Sequence, residues 1–381
     1  MKKLIRITTV PQSLNKLLEG QLQYMSSYFE VIAISSDIEG LEKIKKKEGV
    51  EVHHINMTRK ITPLKDLKGL WGLYRYFRKC KPDIVHSHTP KAGMLAMIAS
   101  WFAKVPNRLH TVAGLPLLEA TGTKRKILNL VEKITYSCAT KVYPNSNGLK
   151  DIIINEGFTN IGKLKVLGNG SSNGINVDYF NTSNIPISKQ NKLKEELSIE
   201  SLDFVFIFVG RIVGDKGINE LITGFNKLSK TRCNLKLLLV GDYETELDPL
   251  RKEILEIIKN NKQIISTGYQ EDVRPFLAIS SMLVFPSYRE GFPNVVMQAG
   301  AMGLASIVSN INGCNEIISE GKNGYLIEPK NVDELYESML LCYENSEKLL
   351  EMGELSRKII VNRYRRDIIW NELLKEYNYE K

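Results

Sequence analysis

Two short segments carry side chains suited to gripping an anionic, hydroxyl-rich ligand. GRIVGDKG at 210–217 places Gly210, Arg211 and Lys216 in a glycine turn between an apolar run and an apparent helix. Two cations beside helix N-terminal amides suit a diphosphate, because mobile charges and fixed partial charges face the same anion. The segment is neither GxGxxG nor GxxxxGK[ST], so it does not encode a dinucleotide fingerprint or a P-loop. REGFPNVVMQAGAMG at 289–303 follows another apolar run. Pro293, just after Gly291 and Phe292, marks a helix start, which leaves Glu290 at the helix mouth before Asn294 and puts Gln298 about two turns in. One carboxylate and one amide on that face can hold sugar or ribose hydroxyls.

All five histidines, His53, His54, His86, His88 and His110, fall within the first 110 residues. His110 and His88 each close a strand-like run and are candidates for a ligand crevice, whereas His86 alternates inward and His53 and His54 look peripheral. The HxH pair at 86–88 has no sensibly spaced third ligand, so no metal site is expected. Cys80, Cys138, Cys233, Cys314 and Cys342 are scattered without a CxxC pair, which argues for a reducing compartment rather than a disulfide frame.

These residues need elements to hold them. Apolar, β-rich runs at 4–10, 29–36, 83–88, 108–114, 141–146 and 163–170 alternate with helical patterns, and the logic repeats at 203–210, 235–242, 262–268, 281–287 and 304–310. Such alternation builds parallel sheets from βαβ units. The expected architecture is α/β, with two doubly wound, Rossmann-like domains facing across a cleft at the carboxyl ends of their strands. Residues 1–182 and 183–362 form the two domains, split where a polar stretch with Pro186 begins. The helical pattern at 363–381 crosses back to the first domain and brings Trp370 with it.

Together the two charged segments resemble the donor-binding domain of retaining, nucleotide-sugar-dependent glycosyltransferases of the GT-B fold, family 4, over nearly the whole chain. The family's Arg-x4-Lys pair falls on Arg211 and Lys216, and its Glu-x7-Glu motif on Glu290 and Gln298, the second Glu being replaced by Gln. The resemblance implies that Arg211 and Lys216 neutralise the donor diphosphate, with Gly210 beside them among the donor-binding residues. Glu290 with Gly291, Phe292, Pro293, Asn294 and Gln298 then holds the sugar and nucleotide. It implies that His110 orients the reacting groups, and it leaves Ser13, in a first βα loop lacking the family's glycine pair, and His88 as acceptor or phosphate contacts. It further implies a UDP-sugar donor, a hexose or N-acetylhexosamine as the transferred group, no metal and no other cofactor. Within the family the nearest likeness is to bacterial enzymes that extend lipid-linked oligosaccharides for capsule, O-antigen or protein glycosylation.

The charge distribution fits that acceptor. Residues 1–185 hold 27 Lys and Arg against 14 Asp and Glu, and the remainder 25 against 29. The helical stripe Leu64, Leu67, Leu70, Trp71, Tyr74 and Phe77 is expected to pack on the sheet. GLPLLEATGTKRK at 114–126 joins an apolar loop to Lys124, Arg125 and Lys126, a pairing that suits anionic lipid. The chain is therefore expected to be cytoplasmic and peripheral on the inner face of the cell membrane, with a lipid-linked saccharide as partner. The N-terminus reads as a first strand rather than a signal peptide, since Arg6 interrupts its apolar run. The uncharged stretch at 292–315 is broken by Pro293, Gly300, Gly303 and several amides, so it is not read as a span. Neither an RNP-like strand, a zinc finger nor a recognition helix is present, which argues against nucleic acid. A GT-B-shaped UDP-sugar 2-epimerase and a transferase with a small soluble acceptor are the other readings.

Overall fold

The computed structural model describes residues 1–58, 62–244 and 248–378. They form two compact units: Met1–Gly174 with the last helix, Arg366–Asn378, and Ile175–Arg365. Among the described residues the first unit holds a parallel sheet of β1 (Lys3–Ile7), β2 (Glu30–Ser35), β3 (Glu51–His54), β4 (Ile84–Ser87), β5 (Asn107–Val112) and β6 (Lys141–Pro144) in the order β3-β2-β1-β4-β5-β6. The second holds β7 (Phe204–Val209), β8 (Leu235–Val240), β9 (Ile264–Gly268), β10 (Met282–Phe285), β11 (Ser306–Ser309) and β12 (Gly324–Ile327) in the order β12-β11-β10-β7-β8-β9. Each sheet grows first to one side of its opening strand and then to the other. The direction reverses between β1 and β4 and between β7 and β10, which opens a crevice at the carboxyl ends there.

Both faces of each sheet are covered by helices, so the strands read as continuous apolar runs rather than alternating ones. In the first unit Ile5, Ile7, Ile32 and Ile34 enter one core cluster, while Leu4, Val31 and Ala33 enter another on the opposite face. That opposite face also receives Leu373 and Tyr377 of the last helix. Trp370 tilts on Tyr24 at 5.0 Å between centroids, donates from Nε1 to Asn173 Oδ1 at 2.7 Å, and lies over Gly20.

Several expectations are corrected. The unit boundary falls between Gly174 and Ile175, not at 182, because Ile175, Val177 and Phe180 are buried in the second unit's core and Ile175 N–H bonds Tyr364 C=O at 2.7 Å. Residues 363–365 likewise belong to the second unit. The run at 163–170 makes one bridge, Val142 to Leu164, before Gly168 and Gly170 turn the chain at φ 55° and 107°. The edge strands β3 and β12, short and partly exposed, carry too little apolar patterning to be read from sequence. The stripe on the helix Pro63–Cys80 divides: Leu73 and Phe77 are buried with Gly69, whereas Leu64, Leu67 and Trp71 face solvent. The apolar residues at 114–126 turn inward, Leu115 and Leu117 being buried. Arg125 is held by Leu117 C=O at 2.6 Å and by Glu156 at 2.5 Å, so it is not a free cation.

Replacing Trp370 with Ala removes a half-buried ring and one of the hydrogen bonds to Asn173, which keeps those to Gln21 and Glu19. It should lower the stability of the first unit by about 2–3 kcal/mol in denaturant titrations, leaving the second unit's transition unmoved.

Candidate active site

In the second unit β7 runs into Gly210 to Gly217 and then the helix Ile218–Ser229, while its neighbour β10 runs into residues 286–293 and the helix Asn294–Ala301. The two loops touch backbone to backbone. Gly217 sits at φ 71°, and a Cβ there would lie 2.1 Å from Pro286 C=O, so no other residue fits. That approach sets Lys216 beside Glu290, and the two form an ion pair with side chains only 17% and 15% exposed. Ser287 Oγ donates to the same carboxylate oxygen at 2.9 Å, and Asn312 Nδ2 donates to the Glu290 carbonyl. The ammonium also lies 5.5 Å from the Phe285 ring centroid. A cation and a carboxylate, each oriented by further bonds, therefore stand at the switch point of the sheet.

Arg211 is half exposed at the mouth of this site, paired with Glu244 and 3.9 Å from Asp215. Asp215 ties the loops together: its N–H bonds Asp248 at 2.5 Å, its carboxylate takes Arg289 at 2.9 Å, and its C=O accepts from Tyr288 N–H at 2.9 Å. Asp248, Arg289 and Asn312 escaped the sequence reading, and Glu244 was not read as a partner of Arg211. Arg289 and Asp215 adjoin the recognised motifs, but Glu244, Asp248 and Asn312 follow other strands, and no local spacing signals them.

Gly291 and Pro293 are buried, and Phe292 packs 5.2 Å from the Tyr364 ring, so only its backbone is available to a ligand. Asn294 and Gln298 are half-buried and one helical turn apart. The Gln298 amide makes no hydrogen bond among the described residues. Cys314 is fully buried; burial and then the Glu290 charge push its thiol well up, which keeps it neutral.

At the switch point of the first unit, Thr9 and Thr89 hydroxyls meet at 2.8 Å, and Ser13 is half-buried on the first turn of the helix Pro11–Leu17. His110 is buried at 2% exposure. Its ring lies on Gly93, where a Cβ would come within 2.4 Å, and its Nδ1 pairs with Ser87 Oγ at 2.8 Å. Burial lowers its pKa to about 4, so it is an oriented neutral imidazole at pH 7. His88, expected at a ligand crevice, is instead a core acceptor: its Nε2 takes Arg6 Nε–H at 3.0 Å. His86 bonds Tyr377 Oη at 2.7 Å and Thr111 Oγ1 at 2.8 Å. Arg6, fully buried on β1, also donates to Gln21, and sequence reading saw in it only a break in an apolar run. Among the described residues no group of three or more His, Cys, Asp or Glu could hold a metal ion.

Two parallel sheets of this order, with the charged loops gathered at the second sheet's switch point, define a two-domain Rossmann-like protein of the GT-B kind. Residues 30–170 match the glycosyl transferase 4-like domain and residues 189–359 the glycosyl transferases group 1. The chain is similar to the capsular polysaccharide biosynthesis glycosyltransferase CapM of Staphylococcus aureus, 36% identical across 99% of this chain and 97% of that one. It is 32% identical to the UDP-Gal:alpha-D-GlcNAc-diphosphoundecaprenol alpha-1,3-galactosyltransferase of Escherichia coli, over 80% of this chain and 78% of that one. The fold matches the crystal structure of Anabaena HepE in complex with UDP at a TM-score of 0.81, with 19% identity and 99% of each chain covered. The chain belongs to the GT-B glycosyltransferases of family 4 type.

Burial holds the pKa values of His86 and His88 well below the ordinary value and that of His110 near 4, so the unfolded chain takes up their protons first. First-unit stability should therefore be full above about pH 6.5 and fall as pH drops toward about 4, with His110 alone contributing about 3 kcal/mol to the loss. Denaturant titrations between pH 7.5 and 4.5 should show this slope, and His110→Asn should flatten it.

Proposed function

We propose that this glycosyltransferase retains anomeric configuration, moving a hexose or N-acetylhexosamine from a UDP-sugar to a polyprenyl diphosphate-linked saccharide, with no metal, at the cytoplasmic face of the cell membrane. The observation that carries this reading is the Lys216–Glu290 pair, oriented by Ser287 and Asn312 at the switch point, with Arg211 at its mouth. An arriving diphosphate gives Lys216 and Arg211 a second anion to share. The Glu290 carboxylate, less fully occupied by the ammonium, can then accept from sugar hydroxyls.

In the proposed step the acceptor hydroxyl oxygen bonds the anomeric carbon on the face the diphosphate leaves. The bond from that carbon to the phosphate oxygen breaks, and the hydroxyl proton passes to the departing phosphate. Arg211 and Lys216 stabilise the released charge, the task a metal performs elsewhere. His110, neutral and fixed by Ser87, orients a reacting hydroxyl. The UDP named in the E. coli relative and in the HepE complex supports the nucleotide, and that relative's diphosphoundecaprenol acceptor supports the lipid. The basic first half supports an anionic membrane partner, and among the described residues no helix is long and apolar enough to cross a membrane.

Mass spectrometry of UDP-hexoses and UDP-N-acetylhexosamines incubated with a polyprenyl diphosphate-linked monosaccharide should show sugar added to the lipid, unchanged by EDTA. An altered UDP-sugar without transfer would instead indicate the 2-epimerase. Lys216→Ala and Arg211→Ala should raise the donor KM by roughly tenfold or more, whereas Glu290→Gln should lower kcat by about 10²-fold with the fold intact. Normal turnover in Glu290→Gln would sink the donor-grip assignment.

A further inference from the structure

Two helices of the first unit expose the side chains that soluble proteins bury. On Pro63–Cys80, Leu64, Leu67 and Trp71 are 80%, 63% and 60% exposed, and on Gly122–Cys138, Ile127, Leu130 and Ile134 are 48%, 59% and 38% exposed. Both sets follow i, i+3, i+7, so each forms one continuous stripe. The second helix is partly inverted: it buries Glu132, Thr135 and Tyr136 and half-buries Leu128 and Val131, while Ile127, Leu130 and Ile134 turn to water. The helix Pro90–Phe102 packs against both. Each striped helix follows a strand, β3 or β5, so its N-terminal half lies toward the carboxyl-end edge of the sheet, where doubly wound folds take their ligands.

Cations flank both stripes. Lys65, Lys68 and Arg75 lie beside the first, and Lys124, Lys126 and Lys133 beside the second; all six are exposed, and among the described residues none forms an ion pair. Acidic side chains on the two helices are withdrawn: Asp66 is bound to Lys91 and Glu132 is buried. An apolar stripe framed by uncompensated positive charge complements a surface that is apolar below and anionic above, namely the headgroup zone of an anionic bilayer. A second copy of this chain would bring the same cations against themselves.

We infer that the outward stripes Leu64–Leu67–Trp71 and Ile127–Leu130–Ile134, with their flanking lysines, insert into the surface of an anionic membrane and hold the first unit there. This rests on the lipid-linked acceptor proposed above and names the elements that meet the lipid. It replaces the loop at 114–126, whose leucines face inward.

The test is flotation with vesicles of phosphatidylcholine alone and with roughly 30 mol% phosphatidylglycerol, using wild type and the triple variant Leu67→Ser, Trp71→Ser, Leu130→Ser. Wild type should bind the anionic vesicles at least tenfold more than the neutral ones, and the triple variant should lose at least tenfold of that binding. Because the three residues are exposed, thermal unfolding should stay in place, and transfer to a short-chain, water-soluble diphosphate-linked acceptor should be unchanged while transfer to a long-chain acceptor in vesicles falls. Lys65→Glu with Lys126→Glu should reproduce the loss without touching the stripes. Equal vesicle binding by wild type and the triple variant overturns the inference. So does a wild-type dimer in sedimentation velocity that the triple variant dissolves with vesicle binding unaltered. Vesicle binding that the variant loses, with no wild-type transfer to either acceptor, leaves the docking surface standing and removes the acceptor reading.

Discussion

The second unit is organised around an ammonium and a carboxylate held together in partial burial. Lys216 and Glu290 come from loops after different strands, and each would be expensive to desolvate alone. Their pairing makes the burial tolerable, and Ser287 and Asn312 then fix which carboxylate oxygen and which stretch of backbone face the crevice. The pair is also self-limiting as a binding site, since a ligand must compete with a counter-charge already present. That favours ligands with both anionic and hydroxyl groups, which can satisfy the cation and the carboxylate at once, over simple anions, which satisfy one and orphan the other.

Such juxtaposition depends on how closely backbone can approach backbone. Gly217 against Pro286, Gly241 against Gly210 and Gly313 against Gly291 all bring a glycine Cα to within van der Waals reach of a carbonyl on a neighbouring loop. The three contacts link the loops after β7, β8, β10 and β11, so charges arising on four strands converge on one edge. A Cβ at any of them would lie 1.8–2.5 Å from a carbonyl oxygen, so the loops would have to part and the hydrogen bonds that orient the site would stretch.

What could be read beforehand follows from this construction. Arg211, Lys216 and Glu290 were legible because each stands in a glycine-marked turn directly after an apolar run. Their other partners were not: Glu244 is 33 residues from Arg211, Asn312 is 22 from Glu290, and only strand order brings them near. The histidines show the opposite error. His88 has the sequence context of a ligand residue, yet a guanidinium 82 residues earlier needed a buried acceptor and took it. Arg6 itself looked like a blemish in a strand and is a hub of the first core. The helix Pro63–Cys80 was read correctly as amphipathic, but its stripe holds two apolar faces, and periodicity alone cannot say which is covered.

The first unit is closed by a helix that arrives last. Leu373 and Tyr377 complete its core, and Trp370 and Arg366 engage Asn173 and Glu19, yet residues 175–365 must be made before any of them. At ribosomal speeds of about 5–20 residues per second, the nascent first unit waits roughly 10–40 s with that face open, while the second unit can fold as soon as it emerges. The first-made half is the last to be finished, and until then its uncovered face offers chaperones a site that the mature protein no longer presents.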